Sequence, residues 1–263
     1  MSSLHCLFFI FTLFTHILNN MILPANSDPM GNAILDYATH GKAQHQLCVK
    51  STLFDDDEMP VDNLFRTELQ MPSIERTALK LCSGKILDVG AGAGCHTLAL
   101  EQKGLNVTSI DISSISTQVR QMRGAHHALC ADFFTDDFGN QFDTILMLMN
   151  GLGIAGKLDN LSSLLLRCKE LLSEKGKILA DSSDLRYIFE EDEEDDINTW
   201  NSSNNYYGEV DFQMVYGNCI GKRFDWLYVD FDTLKHIAQQ CGMQATLIKK
   251  GLHYDYLAEI KKS

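Results

Sequence analysis

The chain has 263 residues, of which 45% are apolar, and a formal charge of −13. That length suits one sizeable domain with elaborations, and the apolar share supports a buried core without disulfide staples. So acidic a chain is repelled by phosphate backbones, which argues against a nucleic-acid partner.

Seven of the negative charges fall in residues 190–196, Glu-Glu-Asp-Glu-Glu-Asp-Asp. The run reads as a solvated loop. It has neither the glycine turn nor the alternating ligand spacing of a calcium loop, so no metal site is expected there. The eight cysteines are scattered, with no Cys-x-x-Cys pair. They point to a reduced, cytoplasmic protein rather than a disulfide framework.

Residues 4–23 are largely apolar, around Leu7-Phe8-Phe9-Ile10-Phe11-Thr12-Leu13-Phe14. Three readings compete. A signal peptide lacks its positive start, because the first basic residue is Lys42. A membrane span is interrupted by His5, His16, Asn19 and Asn20 and has no flanking Lys or Arg, so no stable membrane association is expected. The third reading, a start placed too far upstream with Met21 or Met30 as the working start, is preferred. Residues 1–28 are therefore set apart as an extension.

From residue 30 to about 70 the pattern is helical or irregular and mostly polar, and Asp55-Asp56-Asp57-Glu58 reads as a surface turn. Met71-Pro72-Ser73 starts a helix through residue 81, with Ser73 as its cap. Strands and helices then alternate: strands at 85–89, 106–111, 127–131, 142–149 and 177–181, and helices at 94–103, 113–122 and 158–172. A turn is expected at Glu174-Lys175-Gly176. Near-continuous apolar strands in this rhythm argue for a buried parallel sheet. After Asp184 the rhythm changes. A hairpin over 206–216 and 222–230 is followed by a helix at 231–240 and two closing strands at 243–249 and 254–260.

The strongest chemical signal is Asp88-Val89-Gly90-Ala91-Gly92-Ala93-Gly94-Cys95-His96, a strand entering a glycine-rich turn that opens a helix. Glycine lets the backbone turn tightly and approach a ligand. Nicotinamide and flavin sites use a similar loop, but their Gly-x-Gly-x-x-Gly spacing would require glycine where Cys95 stands. Asp88 would also oppose a pyrophosphate, whereas it suits a cationic amino group; alternatively it fixes the loop as a hydrogen-bond acceptor. Asp111, 21 residues past Gly90, ends the next strand where doubly wound folds accept ribose hydroxyls, or it caps a helix. Asp132 and Phe133 follow the third strand. The loop Met149-Asn150-Gly151-Leu152-Gly153-Ile154-Ala155-Gly156 follows the fourth, at the ligand edge of the sheet, with Asn150 a candidate for orienting an acceptor.

This ordered set resembles the class I S-adenosylmethionine-dependent methyltransferases, well over residues 72–184. Asp28-Pro29-Met30-Gly31-Asn32-Ala33-Ile34 and Trp226-Leu227-Tyr228-Val229-Asp230 further resemble a bacterial group of small uncharacterised methyltransferases. The resemblance implies a Rossmann-like, seven-stranded, mostly parallel α/β sheet with helices on both faces and a small antiparallel insertion after strand five. It implies a domain over 29–263 with a helical lid (29–71) and an inserted cap (185–230). It also implies S-adenosylmethionine (SAM) as cofactor. Asp88, Gly90, Ala91, Gly92, Gly94 and Cys95 would hold its methionine part. Asp111 with Ile112 would take the ribose, Asp132 and Phe133 the adenine, and Met149 and Asn150 the sulfonium and acceptor side. Tyr37, Arg66, Tyr207 and Trp226 are lid or acceptor candidates. No Asn-Pro-Pro-Tyr or Asp-Pro-Pro-Tyr follows strand four, which weighs against amino-methylation of nucleic acids or glutamine and leaves a small-molecule acceptor. The alternative is a noncatalytic SAM-binding module. His96 is a tempting base, but its place in the first helical turn favours a positioning role.

Overall fold

The computed structural model describes residues 22–190 and 206–263. The apolar run up to residue 21 and most of the acidic run lie outside the described residues. Asp28 caps helix α1 (Pro29–His40) by accepting from the Gly31 amide, Pro29 opens the first turn, and Gly41 closes the helix in the left-handed conformation. Two short strands follow, β1 (Leu47–Lys50) and β2 (Asp57–Glu58). The segment expected to be helical or irregular contains α1 and 3-10 turns at Val61–Phe65 and Glu68–Gln70, and the two strands are the part not expected. A four-residue strand carries too little alternation to declare itself and exists because a distant strand pairs with it. Helix α2 spans Ser73–Leu81. Its N-cap is Pro72 and no side chain caps it, so Ser73 is the first helical residue rather than the cap.

The Rossmann-like core then unfolds in order: β3 (Lys85–Val89), α3 (Cys95–Glu101), β4 (Asn106–Asp111), α4 (Ser114–Met122), β5 (His127–Cys130), β6 (Phe142–Met147), α5 (Leu161–Leu171) and β7 (Leu172–Ser183). The expected turn at 174–176 is a bulge within β7. Leu172 pairs with Phe142 and Lys177 with Thr144, so the strand resumes its ladder after the irregularity. A short helix, α6 (Tyr187–Glu190), precedes β8 (Glu209–Tyr216), β9 (Cys219–Ile220) and β10 (Phe224–Leu227). Helix α7 (Phe231–Gln240), capped by Asp230, leads into β11 (Met243–Lys250) and β12 (Asp255–Lys262).

The main sheet has seven strands in the order β11-β12-β7-β6-β3-β4-β5. All pairings from β7 to β5 are parallel, and β12 runs antiparallel to both its neighbours. Alternation along the strands splits the core. Leu87, Ile145, Met147, Ile178 and Ala180 pack with α5 and α7 on one face. Ile86, Leu146, Leu179 and Leu257 pack with α2 and α3 on the other. A second, five-stranded antiparallel sheet has the order β10-β8-β1-β2, with β9 also on β8. It joins strands from the expected lid and the expected cap in one structure. Among the described residues no helix is long and apolar enough to cross a membrane.

Candidate functional site

β3 ends on Asp88 and Val89, and the chain turns through Gly90, Gly92 and Gly94, all at positive φ, into α3. A Cβ added at Gly90 or Gly92 would meet nothing within 4 Å. The loop therefore borders open space, and its backbone is what that space sees. Two arginines of the α4 region hold the outer side of the loop. Arg120, fully buried, donates to the Gly92 carbonyl at 2.9 Å, and Arg123 donates to that of Ala93 at 2.5 Å. The Gly92 amide donates to Asp111 Oδ2 and the Ser113 amide to Oδ1, both at 2.8 Å. A carboxylate has about four lone-pair sites, so Asp111 keeps acceptor capacity for a ligand. Asp88 is buried and accepts from Thr97 Oγ1 at 2.5 Å. Burial pushes its carboxyl up, against the pull of His96, Thr97 and Arg120.

Asp88, the loop from Gly90 to Ala93 and Asp111 line a cavity of about 1000 Å³, room for a cofactor and a second molecule together. The five-stranded sheet adds Phe212, Phe224 and Trp226 to the lining, with Tyr228 just past the end of β10. Trp226 lies so close to Gly153 that a Cβ there would sit 2.1 Å from its indole nitrogen. The segment Asp55-Asp56-Asp57-Glu58, expected as a plain surface turn, forms an exposed part of the cavity rim.

The methyltransferase-domain family matches residues 86–176. A SAM-dependent methyltransferase from Bacteroides fragilis, solved with S-adenosylhomocysteine, is 49% identical, superposes with a TM-score of 0.86, and matches over 94% of this chain and 99% of its own. The chain belongs to the class I SAM-dependent methyltransferases. An uncharacterised methyltransferase of Staphylococcus carnosus is 26% identical over 68% of this chain and 79% of its own length. The CcbJ methyltransferase of Streptomyces caelestis, 12% identical with a TM-score of 0.53, covers 75% of this chain and 99% of its own and shares the fold.

Of the positions singled out in the sequence, the methyltransferase brings Asp88, Gly90, Ala91, Gly92, Cys95, Asp111, Met149 and Trp226 to the cavity wall. Gly94 stands behind, against Arg120. The lining does not include Ile112, Asp132 or Phe133. The carbonyl of Ile112 accepts from the Leu23 amide, Asp132 accepts from the Phe134 amide, and Phe133 packs in the core against Phe134 and Phe138. Tyr37 packs on Phe65, and Tyr207 donates to Asp184 and Asp230.

Asn150 takes a different place from the acceptor-orienting one expected. Its amide donates to the Leu227 carbonyl and accepts from Ser182 Oγ, and it is absent from the cavity lining. It ties the loop after β6 to the end of β10, because both polar ends of its side chain are engaged. Met149 and Asn150 both have φ near +60°, and Asp181 holds their amides at 3.2 and 2.8 Å. Burial pushes the Asp181 carboxyl up to about 7, the Asn150 amide opposing and Glu75 reinforcing the shift. The folded chain thus keeps a proton that the unfolded chain has lost above pH 4. This group's stabilising contribution is complete below that point and disappears as pH rises to about 7, at up to about 1.4 kcal/mol per pH unit. Asp181→Asn is expected to flatten this decline in urea unfolding measured from pH 4 to 8. Equal slopes in both proteins would show that Asp181 does not titrate there.

Sequence reasoning missed a buried ionic group beside the cradle. Arg66 Nη2 bonds both Glu75 oxygens at 2.9 and 3.0 Å, and His96 Nε2 lies 2.8 Å from Glu75 Oε2. Burial disfavours a charged imidazole at His96, but Cys95, Glu75 and Asp88 outweigh it and hold its pKa well above the usual histidine value. A cationic His96 paired with Glu75 is a positioning group rather than a general base. No local pattern announced the network, because its members come from three separate elements.

Proposed function

We propose that this protein moves the methyl group of SAM to a small-molecule acceptor held between the glycine loop and the aromatic face of the five-stranded sheet. One observation carries the reading: a single cavity has the cofactor loop at one end and a wall of aromatic side chains at the other. The residues fit the cofactor. The open cradle at Gly90 and Gly92 admits a ligand against the backbone, and Asp88, on the lining, would take an ammonium whose charge offsets the upward push of burial on its carboxyl. The spare acceptor capacity of Asp111 suits hydroxyls. When bound, SAM supplies an activated methyl group on a sulfonium, so the protein's task is proximity and orientation. Met149 would flank the reacting end and Trp226 would position the acceptor. The strands of segments 29–71 and 185–230 would act as one acceptor cap. The cysteines described are all unpaired thiols, which supports a cytoplasmic site of action.

Calorimetric titration of the full chain with SAM, S-adenosylhomocysteine and NAD tests the cofactor assignment. Binding of both adenosyl ligands and not NAD is expected, weakened roughly tenfold or more in Asp111→Ala by loss of a charged hydrogen-bond acceptor. Folded protein that binds NAD alone would refute it.

A further inference from the structure

The cavity's second wall has a composition that selects among acceptors. Side chains alternate along a strand, and cross-strand partners share a face. Phe212 of β8 lies opposite Phe224 of β10, and Met214 of β8 lies opposite Val49 of β1. Val49 in turn lies opposite Asp57 of β2. One face of the sheet therefore carries an aromatic row, Phe212 with Phe224, and beside it a row that runs Met214, Val49 and ends on a carboxylate. Phe224 meets Trp226 edge-on with centroids 5.9 Å apart. All of these side chains line the cavity.

The charges around the same space are one-sided. Asp55, Asp56, Asp57 and Glu58 join the lining at the exposed rim, and no lysine or arginine is among the described residues that line the cavity. Lys50, not itself a lining residue, is paired with Asp56 of the rim at 2.8 Å, which leaves Asp55, Asp57 and Glu58 as the carboxylates facing an acceptor. His96, on the lining beside the glycine loop, is already paired with Glu75 at 2.8 Å, so a carboxylate or phosphate on the acceptor would meet chiefly the carboxylates of the rim. A positive charge gains from both the acids and the ring faces.

We propose that the acceptor is an organic cation: a flat apolar body seated on Phe212, Phe224 and Trp226, with an ammonium group directed to the Asp57–Glu58 edge. The inference rests on the methyl-transfer reading above and adds the class of acceptor. The ammonium is the handle by which the molecule is held, and anionic analogues of the same shape are rejected by the wall.

Two probes of nearly equal shape test this, tryptamine and indole-3-propionate. Each is titrated into the full chain saturated with S-adenosylhomocysteine, at low and at high sodium chloride. Tryptamine is expected to bind about tenfold more tightly or better. The preference should shrink with salt because the acids are exposed. It should fall toward parity in Asp57→Asn/Glu58→Gln, with S-adenosylhomocysteine binding retained, and Trp226→Ala should weaken both probes. Equal binding, preference for the propionate, or no binding of either probe at millimolar concentration would overturn the proposal. Failure of S-adenosylhomocysteine itself to bind would remove the methyl-transfer reading and this inference with it, so the two failures are told apart in one experiment.

Discussion

Gly90→Leu is expected to cut SAM affinity by roughly a hundredfold or more while the chain still folds. Gly90 has φ +70° and its amide donates to the Ile110 carbonyl at 3.0 Å, so its conformation is fixed by β4. A leucine there carries about 1–2 kcal/mol of backbone strain. Its Cβ meets no protein atom within 4 Å, and the residue lines the cavity. The side chain would instead take the volume proposed for the cofactor's methionine end. Gly41→Leu is the matched control. Gly41 also has φ +70° and open space beyond it, but it sits at the end of α1, away from the lining. Both variants should lose a similar amount of thermal stability, and only Gly90→Leu should lose binding in the calorimeter. Equal binding by both would mean that the cradle does not hold the ligand.

Glu75→Gln is expected to cost roughly 3–5 kcal/mol of stability, the usual penalty for leaving buried charge without its partner. The side chains of Glu75, His96 and Arg66 are only 7%, 8% and 14% exposed, so water cannot replace the lost carboxylate. For a chain of this size the melting temperature should drop by about 6–20 °C. His96→Gln added to Glu75→Gln should recover part of the loss, because one of the stranded cations is removed. The sign of the pH effect follows from the raised His96 pKa. The pair's stabilising contribution is complete below the ordinary histidine range and fades as pH rises through the higher folded value. A loss below about 1 kcal/mol would show that the network is dispensable.

The parts of this molecule legible in the sequence are those written in local pattern. Residues 85–111 contain an apolar strand, a glycine turn, a helix and a second strand ending on an acid, and each step depends on neighbours a few residues away. The seven-stranded, mostly parallel make-up of the main sheet followed from the same rhythm and the family resemblance, whereas the order of its strands came from the structure. The parts that stayed hidden are made by distant pairing. Leu47-Cys48-Val49-Lys50 becomes a strand because β8 lies beside it. That pairing carries the Asp57–Glu58 segment to the cavity rather than leaving it a free turn. Among the aromatics of the cap, Trp226 was anticipated at the site, whereas Tyr206 and Tyr207 turn to Asp230 and Asp184. The period-two spacing Phe212-x-Met214 and Phe224-x-Trp226-x-Tyr228 was the available clue to the wall. Asn150 was found in the right loop, but which way its amide is spent depends on Ser182 and Leu227, far away in sequence.

The pairing of β1 with β8 also sets an order of events during synthesis. Leu47 waits for Tyr216, 169 positions later (216 − 47), which at ribosomal speed is roughly ten to thirty seconds. The strands that carry the glycine loop and Asp111 are complete at Asp111 itself. A nascent chain therefore has every residue of its cofactor cradle well before it has a wall for the acceptor to rest on. A ribosome stalled between those points holds a protein with the first half of its site and none of the aromatic half.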